Sequence, residues 1–93
     1  MLRLNCFFQA KEECYDAALQ AALALTAASR QEEGCVAYDV FESGTRPDVF
    51  MICETWTGEE ALAAHMKTEH FKRYVAVLEE QGSLKLEKFD FPA

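Results

Sequence analysis

An α+β fold of the ferredoxin-like kind is what this chain of 93 residues predicts: strands and helices in the order β-α-β-β-α-β, a four-stranded antiparallel sheet, and both helices on one face. Three observations predict it. Four β-rich runs occur at 2–9, 35–42, 49–56 and 84–91. Two stretches free of Gly and Pro, 12–33 and 60–81, carry apolar residues at helical spacing. The middle two β-rich runs are joined by SGTRPD, which has the Gly and Pro of a tight turn.

LRLNCFFQ (2–9) sets Leu2, Leu4, Cys6 and Phe8 against Arg3, Asn5, Phe7 and Gln9, a strand with apolar character on both faces. From Glu12 to about Glu33, Tyr15, Ala18, Leu19, Ala22, Leu23 and Thr26 recur at helical spacing, with Glu12 and Glu13 in the first turn. Gly34 is the expected stop. CVAYDVFE (35–42) and VFMICETW (49–56) read as a hairpin. Thr57 with Glu60 three residues on has the spacing of a capping box, and it predicts one continuous helix as far as Gly82. LKLEKFDF (84–91) closes the sheet, with Pro92 just beyond.

The chain is read as a single domain, 1–93, long enough for one core. Nine Lys and Arg stand against sixteen Asp and Glu, a net charge of −7, which disfavours a phosphate backbone and so a nucleic-acid partner. The opening MLRLNCFFQAKEEC lacks a signal-peptide pattern, and no apolar run is long enough to span a bilayer. A cytoplasmic protein without a membrane partner is the expectation. Cys6, Cys14, Cys35 and Cys53 form no CxxC pair and lie in apolar segments, so they read as buried small hydrophobes rather than a zinc site. Strands one and three have no purely polar face, so the sheet needs a cover, and a second copy of the chain is the economical one.

The chemistry-bearing residues gather in 54–71, ETWTGEEALAAHMKTEHF. Thr57, Glu59 and Glu60 are accounted for by capping and the helix dipole. On one continuous helix His65 and His70 point about 140° apart, so they are not expected to share a metal. His65 and Glu69 share a face and would pair. The apolar stripe is Leu62, Met66, Tyr74, Val75 and Leu78, with Phe71 and His65 on its flanks, which puts both histidines near the boundary of core and solvent. Trp56 reads either as an aromatic anchor of the core or as a pocket residue. Glu54, two residues earlier on the same strand side, is costly there unless paired or facing a polar cavity. Asn5 is either a surface amide or a site residue. With strands one and three adjacent, Asn5, Glu54 and Trp56 are expected to approach one another, with His65 above.

E-x-G-C-x-x-Y at Glu32, Gly34, Cys35 and Tyr38, E-x-W at Glu54 and Trp56, and H-x-x-x-x-H-F from His65 to Phe71, in this order, resemble the antibiotic biosynthesis monooxygenase family and its quinol monooxygenases. The resemblance covers nearly the whole chain and implies a homodimer forming a dimeric α+β barrel, with an apolar pocket in each protomer. It implies oxidation of a small electron-rich aromatic, a quinol or polycyclic phenol, by O₂ without metal, flavin or haem. The deprotonated substrate supplies the electrons, so the protein binds it, favours the anion and excludes water. Carried over to this chain, Asn5 and Trp56 become pocket hydrogen-bond donors and His65 the base, oriented by Glu69 or Glu54. Glu54, Phe71, Tyr74 and Met66 are the expected substrate contacts. The family also holds haem-degrading enzymes that use an Asn, a Trp and a haem-ligating His, and a relative acting on a phosphorylated sugar derivative, for which this chain lacks a basic cluster. A noncatalytic dimeric module that binds a hydrophobic small molecule is the alternative from another class.

Overall fold

The computed structural model describes residues 1–92, in the order β1 (Leu2–Ala10), α1 (Tyr15–Ser29), β2 (Cys35–Glu42), β3 (Val49–Trp56), α2 (Glu59–Met66), α3 (Glu69–Gln81) and β4 (Gly82–Asp90). The strands form one antiparallel sheet ordered β2-β3-β1-β4. This is the ferredoxin-like topology, and β1 and β3 are its central pair.

Alternation along the strands assigns the two faces. Leu4, Cys6 and Phe8 pair with Glu54, Ile52 and Phe50 and lie under the helices, joined by Leu25, Leu62 and Leu78 from above. Phe8 and Phe50 stack at 4.8 Å with neither ring exposed. Burying a side chain of this size stabilises the fold by about 1.5–3 kcal/mol. The opposite face carries Asn5, Phe7, Phe41 and Met51, so both faces of the central strands are partly apolar, as the sequence predicts. Phe41 and Phe89 remain 54% and 50% exposed. No helix among the described residues is long and apolar enough to cross a membrane.

Four local expectations are corrected. Helix α1 starts at Tyr15 and not at Glu12, because Glu13 takes a left-handed φ of 66° and Cys14 becomes the cap; Asp16 is the acid left in the first turn. It also ends at Ser29, before Gly34. Gly34, at φ +87°, shapes the turn into β2 instead, and a Cβ there would lie 2.5 Å from the Ala61 Cβ. That glycine lets the turn lie against α2.

Thr57 caps nothing, since the residue before α2 is Gly58 and no side chain bonds the helix start. The stretch to Gly82 is two helices broken at Lys67 and Thr68. Thr68 takes an extended ψ of 154°, donates its hydroxyl to the His65 carbonyl at 2.7 Å and accepts the Phe71 N–H at 3.2 Å. The capping chemistry expected at Thr57 therefore operates at Thr68, with Glu69 in the first turn behind it. Gly82 closes α3 and opens β4 in a single residue; a Cβ there would meet the Gln9 carbonyl oxygen at 2.2 Å. All four cysteines are free and only partly buried.

Candidate functional site

The break at Thr68 turns α3 away from the axis of α2, and the two histidines converge instead of diverging. Glu32, in the turn between α1 and β2, has its Oε2 2.7 Å from His65 Nδ1 and 2.7 Å from His70 Nε2. His65 is 1% exposed and His70 24%. The expectations that His65 sits at the solvent boundary and pairs with Glu69 are both overturned: its ring lies inside the fold, and Glu69 belongs to the next helix. Trp56 supports the imidazole from below at 4.5 Å, while Phe71 and Tyr38 meet it edge-on at 5.1 and 5.8 Å.

On the other edge of that ring Nε2 has no hydrogen-bond partner and lies 3.9 Å from Glu54 Oε1. Glu54 is buried on β3 and accepts the Trp56 Nε1–H at 2.8 Å. Burial pushes the Glu54 carboxyl above the usual carboxylate range, against the Trp56 bond and the nearby His65, which pull it back. Burial likewise drives the Tyr38 phenol far upward, with Glu54 adding to the effect. His65, Glu54 and Tyr38 line a cavity of about 190 Å³ whose other walls are mostly apolar and include Leu4, Cys6, Leu62, Met66, Phe71 and Leu78.

A ring nitrogen facing a carboxylate oxygen is the donor of that hydrogen bond, because a carboxylate only accepts. The bond to Glu32 therefore places a proton on Nδ1, and Nε2 is left buried beside Glu54 without a hydrogen-bond partner.

Of the residues expected at the site, His65, Glu54, Phe71 and Met66 line the cavity, although Met66 is 47% exposed at its rim. Trp56 packs behind His65, and its N–H is already held by Glu54, so it supports the site rather than lining it. Asn5 pairs with Cys53 on the other sheet face and does not approach Glu54, because strand alternation gives the helix side to Leu4 and Cys6. Tyr74 lies outside, under the Arg73 guanidinium at 5.2 Å, in a cleft it shares with His70. Glu32 and Tyr38 have roles that spacing along one helix does not reveal; both belong to the E-x-G-C-x-x-Y stretch.

The model of the family described as antibiotic biosynthesis monooxygenase matches residues 1–77. The chain belongs to that family. It is similar to YcnE of Bacillus subtilis, provisionally named a monooxygenase, at 36% identity over 76 residues, 82% of this chain and 80% of that one. A crystal structure from Bacteroides thetaiotaomicron, of a conserved protein of unknown function described as a possible oxidoreductase, superposes with a TM-score of 0.95 at 57% identity; the match spans 97% of this chain and 96% of that one. A structure named as an antibiotic biosynthesis monooxygenase matches all of both chains at 30% identity, with a TM-score of 0.91. These three relatives are named toward monooxygenase or oxidoreductase chemistry, and the two solved structures share the fold.

Proposed function

We propose that the protein is a cofactor-independent monooxygenase that oxidises a small electron-rich phenol or quinol with O₂, working as a homodimer. The observation that carries this reading is His65, which lines an apolar cavity beside Glu54 with its ring held by Glu32 and its Nε2 without a hydrogen-bond partner. Nε2 takes the phenolic proton, and the apolar walls leave the resulting anion poorly solvated and electron-rich. The anion reduces O₂. One oxygen atom enters the ring, where a C–H bond gives way to C=O, and the other leaves as water, so a phenol and O₂ yield a quinone and H₂O. Glu54, whose carboxyl burial pushes upward, offers a second polar contact to the substrate's oxygen. Four free thiols are in keeping with a reducing, cytoplasmic setting.

Oxygen uptake by metal-free protein with a panel of naphthoquinols and polycyclic phenols tests the reading. Because quinols autoxidise, the variants decide the result. His65→Ala is expected to lower the saturable rate by about 10²–10⁴-fold. Trp56→Phe, which removes the N–H that holds Glu54, should lower it less. Uptake no faster than the blank across the panel overturns the oxygenase, and saturable binding without turnover would identify a ligand-binding module instead.

A further inference from the structure

Glu32, His65 and His70 come from three separate elements, and their ligand-type atoms all lie within 4.8 Å of one another. We propose that these three residues hold one divalent transition-metal ion of the zinc class, through Glu32 Oε2, His65 Nδ1 and His70 Nε2. Two imidazoles and one carboxylate are a donor set that zinc takes with three protein ligands and a fourth position open to water. Metal–ligand bonds of about 2.0–2.2 Å in a tetrahedral arrangement place neighbouring donors about 3.4 Å apart. The two 2.7 Å contacts then need to open by less than 1 Å, and the separation of the two histidine nitrogens, within 4.8 Å, to close by up to about 1.4 Å, changes that side-chain torsions supply.

The three groups are also held in place. The His65 ring is wedged between Trp56 and Phe71, His70 sits in the first turn of α3, and Glu32 is carried on the short turn whose approach to α2 depends on Gly34. His70 is the most exposed of the three and provides the entry path. Two neutral imidazoles and one carboxylate leave a single negative charge, which a divalent cation overcompensates without burying a bare ion. Cys35, close in sequence, is not part of the set; its thiol turns toward the Ala37 carbonyl.

The ion would lie on the Nδ1 edge of the His65 ring, and the neutral ring then carries its proton on Nε2, so the metal-loaded chain lacks the base of the proposed reaction. Binding is measurable whether or not the oxygenase reaction exists. Untagged protein, stripped with a chelator, is titrated with Zn²⁺ against a chromophoric chelator, and separately with Co²⁺ read by visible absorption. The expected result is one ion per chain, with Glu32→Gln and His70→Ala each weakening binding at least about tenfold while the far-UV circular dichroism is unchanged. Co²⁺ should give the absorption of a four-coordinate site, lost in His70→Ala. If His70→Ala does not fold, His70→Gln takes its place. Absence of binding overturns the proposal. So does binding that both variants leave intact, which would mean an adventitious ion only, or a Co²⁺ spectrum abolished by alkylating the cysteines.

Discussion

A thiol that faces an apolar cavity beside a carboxyl group loses much of its reactivity. Burial and then Glu54 push Cys6 up to about 11 from 9.0. Since the thiolate is the nucleophile, its population near neutral pH falls by roughly a hundredfold relative to an ordinary thiol. Iodoacetamide labelling followed by peptide mapping should find Cys6 the slowest of the four cysteines at neutral pH. The sign for stability follows from the same shift. The folded state favours the neutral thiol, so that contribution is complete below 9.0 and is lost as pH rises through about 11. Cys6→Ala should flatten the alkaline loss of stability seen in thermal melts. At this scale the sequence is only partly legible. Glu54 and Trp56 are read together correctly from their shared strand side, and they bond directly. Asn5 is misplaced because period-two alternation leaves open which set of residues meets the helices, and only packing against Leu25, Leu62 and Leu78 decides it.

Thr68 does more than begin a helix. By bonding both the His65 carbonyl and the Phe71 N–H, it fixes the corner that aims two imidazoles at Glu32. Thr68→Ala should destabilise the protein by about 1 kcal/mol, lowering its melting temperature by about 4–8 °C in a domain of this size. Thr68→Ser, which keeps the hydroxyl, should recover most of that loss. The corner escaped the sequence reading because good helix formers lie on both sides and no Gly or Pro marks it, so periodicity extends straight through. The strands were easier. β2 and β3 begin and end where their β-branched and aromatic runs do, since SGTRPD and Gly34 bound them with turn chemistry. The start of α1 was harder, because a left-handed Glu13 carries no mark in composition.

For the whole molecule, topology followed from element order alone, as two right-handed crossovers around a hairpin leave one sensible sheet arrangement. The uncovered sheet face yields a prediction. Phe7, Phe41, Met51 and Phe89 occupy it, and the proposed homodimer would bury them. Sedimentation equilibrium should return twice 10.5 kDa, and Phe41→Asp should shift the population toward monomer. A stable 10.5 kDa species in the unaltered protein would dismiss the barrel. Gly82 has a further effect at this scale. With no residue between α3 and β4, and a backbone carbonyl where a side chain would stand, the connection has no slack. The angular phase of α3 is therefore locked to the register of β4 on β1. Removing one residue from α3 between His70 and that junction would swing His70 by about 100° about the helix axis. The length of one helix, more than any contact made by His70, keeps its ring aimed at the turn that carries Glu32.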